Sequence, residues 1–194
     1  MSKFEKIIPL GQTCNITYLL QHSKIKKETS LFEWFVSNNL NHITTIINKI
    51  GQDELVNVSQ KGEHVCIDDY NIFSGHYKID EYMPIYLRRR DRFIETIKQN
   101  NKILFIRVEI NSSNIYKTED IDRFVESIKR INKNCDEMKL LLIRPDNNGV
   151  EHPFVINKCC IGEIPIDIFV NILQEIGYDT METKDIEFND KSIN

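Results

Sequence analysis

The stretch Lys102-Ile103-Leu104-Phe105-Ile106-Arg107-Val108 decides the fold class. It is an almost unbroken apolar run of strand length, the pattern of a strand buried on both faces of a sheet. A helical pattern follows over residues 118–132, and its first turn carries Glu119, Asp120 and Asp122, which suit the positive end of a helix dipole. A second apolar run, Lys139-Leu140-Leu141-Leu142-Ile143, comes next. Strand, helix and strand of these lengths predict a right-handed βαβ unit in a parallel sheet.

Working outward, the alternation continues with a strand over residues 154–161 and a helix over 165–176 that stops at Gly177. On the other side, residues 83–99 predict a helix with Pro84 near its start. Residues 55–82 predict short strands and loops around Gly62 and Gly75. Residues 40–50 carry Leu40, Ile43, Ile46, Ile47 and Ile50 at helical spacing. The run Ser30-Leu31-Phe32-Glu33-Trp34-Phe35 holds the single tryptophan, and burial energy makes a core anchor its expected role. The whole is expected to be α/β, a three-layer sandwich around a mainly parallel sheet, with an α+β papain-like fold as the alternative. The 194 residues are expected to form a single domain, with a possible short strand at 185–188 and a mobile tail after about residue 189.

Composition narrows the function classes. With 41% hydrophobic and 28% charged residues the chain reads as globular, and a net charge of −4 offers no general attraction to nucleic acid or to an anionic membrane. Neither partner is expected. No P-loop and no G-x-G-x-x-G occurs, so no cofactor is expected either. The first residues lack the apolar core of a signal peptide, which predicts a cytoplasmic protein. Its five cysteines, Cys14, Cys66, Cys135, Cys159 and Cys160, show no zinc-type C-x-x-C pair, so reduced thiols and no metal site are expected.

The chemistry is expected at Leu10-Gly11-Gln12-Thr13-Cys14, where the first strand, residues 6–10, breaks at a glycine and a helix begins. With Thr13 as N-cap, Cys14 would lie in the field of a helix N-terminus, which lowers a thiol pKa from about 8.5 to as little as roughly 3.5. A cysteine nucleophile also needs a base and an oxyanion donor. Among the five histidines, His76 in Phe73-Ser74-Gly75-His76 sits on an expected loop, with Asp80 close in sequence to orient it. His152 is the runner-up. Gln12 and the backbone N–H of Cys14 are the candidate oxyanion donors. Arg89, Arg90 and Arg92, in the run Arg88-Arg89-Arg90-Asp91-Arg92, are candidates for holding an anionic substrate, against the commoner role of ion pairing on a helix face.

These motifs resemble the DUF1796 family, described as papain-like cysteine peptidases. The resemblance rests on Leu10-Gly11-Gln12-Thr13-Cys14, Leu31-Phe32-Glu33-Trp34, Phe73-Ser74-Gly75-His76, Arg89-Arg90-Asp91-Arg92-Phe93 and Leu104-Phe105-Ile106-Arg107, in order over residues 6–145. It implies Cys14 as nucleophile and His76 as base. Two departures stand out. Tyr77 follows His76 where the family often has an acidic residue, and the papain-type Cys-Gly-x-Cys-Trp signature is absent. A nucleophile after the first strand also resembles the layout of SGNH-type esterases, with Cys in place of Ser. The expected function is therefore a cysteine hydrolase or acyl transferase acting on a peptide or a small acyl ester. The alternative is a non-catalytic interaction domain whose basic helix contacts an anionic partner.

Overall fold

The computed structural model describes residues 4–25, 28–68, 72–110 and 113–178. The expected strand at 185–188 and the tail lie outside them. Two four-stranded sheets form. The elements of the first are β1 (Lys6–Pro9), β6 (Ile103–Val108), β7 (Lys139–Arg144) and β8 (Val155–Cys159), in that order and all parallel. The second is antiparallel, in the order β2 (Val36–Ser37), β5 (Ile72–Ser74), β4 (His64–Ile67), β3 (Val58–Lys61). The helices are α1 (Asn15–His22), α2 (Leu40–Gly51), α3 (Ile79–Gln99), α4 (Thr118–Ile131) and α5 (Ile166–Glu175). The fold is α/β, and β6, α4 and β7 form the expected parallel βαβ unit.

The apolar run of β6 has its predicted cause: all six residues are buried. Alternation splits them between two cores. Leu104, Ile106 and Val108 pack with Ile16, Leu19 and Leu20 of α1 and Phe169, Ile172 and Leu173 of α5. Ile103 and Phe105 pack with Ile43 and Ile47 of α2, Phe93 and Ile97 of α3, and Phe124 and Ile128 of α4. The antiparallel sheet joins this second core through Val65, Ile67 and Ile72.

Two helix starts and the place of one aromatic differ from the sequence reading, each for a local reason. α3 begins at Ile79 rather than at residue 83, because the Gln60 side chain of β3 accepts the Ile79 N–H at 2.9 Å and so caps an earlier start. Pro84 then falls inside the helix. α1 begins at Asn15 with Cys14 as its N-cap, and Thr13 reaches only the Asn15 N–H, at 3.3 Å. Trp34 is only half-buried and takes a left-handed backbone with φ of 65°, while its neighbours Leu31, Phe32 and Phe35 are the buried anchors. α2 and α5 match their patterns, with Asn39 capping α2 and Gly177 turning the chain after α5 at φ of 86°.

Candidate active site

The β1-to-α1 corner is built around Gly11. Its φ is 62°, and a side chain there would put a Cβ 3.1 Å from the Phe35 carbonyl and 3.2 Å from the Phe32 carbonyl. Only glycine meets both demands. The turn delivers Gln12 to the antiparallel sheet, where it bridges Val36 in parallel and accepts the Ser37 N–H at 3.2 Å. Cys14 follows two residues later.

His76 arrives from the other side. It lies just past the end of β5, and its N–H donates to the Ser74 Oγ at 3.2 Å. Because β5 pairs with β2 and β2 meets Gln12, the loop carrying His76 and the corner carrying Cys14 share one hydrogen-bonded frame. Cys14 Sγ and His76 Nε2 stand 3.6 Å apart. The Trp34 indole meets the His76 ring edge to face, with centroids 5.4 Å apart. The tryptophan expected in the core is therefore a wall of the site, and its left-handed backbone is strain of the kind found where side chains are held for function.

The thiol itself departs from the expectation. Burial pushes Cys14 above the ordinary thiol range, and the backbone hydrogen bond that pulls the other way is the smaller effect. The thiol and the ring nitrogen stand close to the range over which a proton can pass between them.

The remaining candidates divide. Gln12 is buried, and its Oε1 accepts the Ile110 N–H at 2.5 Å, which leaves Nε2 as the donor end of the amide. Asp80 is exposed on the first turn of α3, and no hydrogen bond or ion pair joins it to His76 among the described residues. His152 is engaged elsewhere, with Asp122 at 3.1 Å. Arg90 pairs with Asp91 at 2.6 Å, and Arg92 donates to the Thr29 carbonyl at 3.2 Å and faces Glu28 at 3.6 Å. Arg89 is buried, donates to the Tyr77 hydroxyl at 3.2 Å, and lines a small cavity with Arg92, Ser30 and Glu33 that does not include Cys14. Among the described residues, no group of three or more His, Cys, Asp or Glu side chains converges as a metal site would require, and no helix is long and apolar enough to cross a membrane.

Beneath the corner lies a buried ion pair that the sequence reading passed over. Arg107, fully buried in β6, donates from Nη1 to the carbonyls of Gly11 (2.9 Å) and Leu10 (3.3 Å) and to Ser37 Oγ (2.8 Å), and from Nη2 to the Ser37 carbonyl (3.0 Å). Its Nε meets Glu109 at 2.5 Å and the Tyr116 hydroxyl at 3.1 Å. Tyr116 in turn donates to Glu109, whose second oxygen accepts from Asn114 at 2.7 Å. Burial raises the Tyr116 hydroxyl far above the ordinary phenol range, so it stays a donor. The signal was present in the sequence: an arginine inside an apolar strand must be paired if that strand is buried.

Comparison with known proteins gives one informative similarity. The chain is 26% identical over 175 residues to the uncharacterized protein R408 of Acanthamoeba polyphaga mimivirus, covering 73% of this chain and 78% of that protein. No family model matches the chain, and no solved structure matches it.

Proposed function

We propose that the protein is a cysteine-dependent hydrolase or acyl transferase, with Cys14 as nucleophile and His76 as its base. The observation that carries this reading is the 3.6 Å approach of Cys14 Sγ to His76 Nε2, from elements 62 residues apart. The resemblance to the DUF1796 family names the same pair, and five free cysteines suit a reducing, cytosol-like compartment. The layering of α1 and α5 against one face of the parallel sheet and α2, α3 and α4 against the other supports a three-layer sandwich over a papain-like fold.

In the proposed reaction His76, with its own proton on Nδ1, accepts the Cys14 proton at Nε2 as Sγ attacks the substrate carbonyl carbon. The S–C bond forms and the carbonyl electron pair moves to oxygen, where Gln12 Nε2 and the Cys14 N–H are the proposed donors. Collapse breaks the bond to the leaving alkoxide or amine, which takes the proton from His76. Water, or an acceptor hydroxyl or amine, then gives its proton to His76 and attacks the thioester carbonyl; the C–S bond breaks and the departing Sγ takes the proton from His76 Nε2, which restores the starting state. Trp34 holds the imidazole from the side, in place of an acidic third member.

The test is acylation by p-nitrophenyl acetate. The expected result is a burst of p-nitrophenolate equal to the enzyme present, with one acetyl group on the peptide containing Cys14. Cys14→Ala abolishes the burst, and His76→Ala slows it about 100-fold or more, the usual share of a general base. Acylation spread over several cysteines, or a burst indifferent to His76→Ala, would reject the reading.

A further inference from the structure

A groove of about 620 Å³ opens at the carboxyl ends of the parallel strands, where α/β sheets bind their ligands. This volume lies within the roughly 300–1,000 Å³ common to small-molecule sites. Its apolar walls are Val108 at the end of β6 and Ile110 beyond it, Ile143 near the end of β7 and Pro145 beyond it, Ile164 beyond β8, and Tyr18 of α1. Tyr18 is one helical turn from Cys14, whose carbonyl accepts the Tyr18 N–H at 2.9 Å. Ile110 is the residue whose N–H holds Gln12. Asn15, the residue after Cys14, also lines the groove, while Cys14, Gln12 and His76 do not, so the groove opens beside the pair and not onto it. Tyr18 and Ile110 are 51% and 53% exposed, unusually open for large apolar side chains beside a buried core.

The charge around the groove selects among ligands. Glu109 and Glu163 line it, and no lysine or arginine does among the described residues. A ligand carboxylate or phosphate would lie near the Glu163 carboxylate with no cation among the described lining residues to meet it. A cation gains little, because Glu109 already accepts from Arg107, Tyr116 and Asn114, and an ion pair with the exposed Glu163 is worth little in water.

We infer that this groove receives a neutral acyl chain, so that the substrate of the Cys14–His76 site is an acyl ester, thioester or amide. The inference rests on the catalytic reading above, and its test separates the two.

Binding is measured first without the nucleophile, by calorimetry on Cys14→Ala with octanamide, hexanamide and octanoate as probes. Each methylene buried is worth about 0.8 kcal/mol, about fourfold in affinity, so octanamide should bind about 16-fold more tightly than hexanamide. Octanoate should bind at least tenfold more weakly than octanamide. Ile110→Trp, at an exposed position, should fill the groove and abolish octanamide binding while leaving the thermal melt unchanged. The second measurement uses the wild-type chain: saturating octanamide should slow iodoacetamide alkylation of Cys14 at least fivefold. No saturable octanamide binding, equal affinity for octanoate, indifference to Ile110→Trp, or binding without protection of Cys14 would each overturn the inference. Binding and protection together with no acylation of Cys14 by any ester would uphold the groove and reject the catalytic reading instead.

Discussion

Replacing Arg107 with methionine tests how the corner is held. The guanidinium makes six hydrogen bonds within a fully buried setting, three of them to main-chain carbonyls at Leu10, Gly11 and Ser37. Methionine roughly fills the volume but satisfies none of these groups. It also leaves the Glu109 carboxylate inside the protein with only Tyr116 and Asn114 as donors. Removing one partner of a buried ion pair costs about 3–5 kcal/mol. For a chain of this size each kcal/mol shifts Tm by roughly 2–4 °C, so the expected fall is roughly 6–20 °C. Urea unfolding followed by circular dichroism gives the free energy directly. The double variant Arg107→Met with Glu109→Gln should recover part of the loss, because the stranded charge is then gone. A loss below about 1 kcal/mol for Arg107→Met, or no recovery in the double variant, would refute the argument that the pair is the anchor of the corner.

Further outcomes follow from the same geometry. Burial raises the Cys14 thiol, so its iodoacetamide rate should climb with pH through a midpoint above the ordinary value of about 8.5; a midpoint below that value would contradict the burial argument. Gly11→Ala must hold a left-handed backbone against two carbonyls, and a loss of at least about 1–2 kcal/mol in urea unfolding is expected. Asp120 loses some ionisation to burial but gains more from the Lys117 N–H, Asn41 and Arg123, which together hold its pKa below the ordinary carboxylate range. Its stabilisation is therefore present above about pH 3.9 and lost as pH falls through the lower folded value. Asp120→Asn should flatten the acid limb of a stability-against-pH curve, and an unchanged limb would count against that role.

The parallel βαβ core was readable because burial on both faces leaves β6 and β7 almost no polar residues, and helices with one apolar stripe leave a periodic trace. Cys14 and His76 were readable singly, as residue types at a corner and on a loop, while their approach depends on β2, a two-residue strand too short to leave a pattern. Trp34 was misplaced for a related reason. Aromatic content argues for burial in general, but the turn over residues 31–34 buried Leu31, Phe32 and Glu33, and the left-handed backbone at Trp34 turned its indole toward His76. Asp80 was chosen by nearness in sequence, and the early start of α3 carries it onto an exposed helical turn. Arg107 was hidden because its partners lie 70 to 97 residues away or just beyond its own strand.

The brevity of β2 has a consequence for motion. Val36 and Ser37 tie Gln12 on one side to β5 on the other, so they splice the halves that carry thiol and imidazole. A seam of two residues opens at a lower free energy than the sheets it joins, since local opening scales with the structure disrupted. The Cys14–His76 distance is then governed by the breathing of that seam, and the pair comes apart in excursions that leave both cores intact. Amide exchange at Ser37 would report the lifetime of the assembled pair.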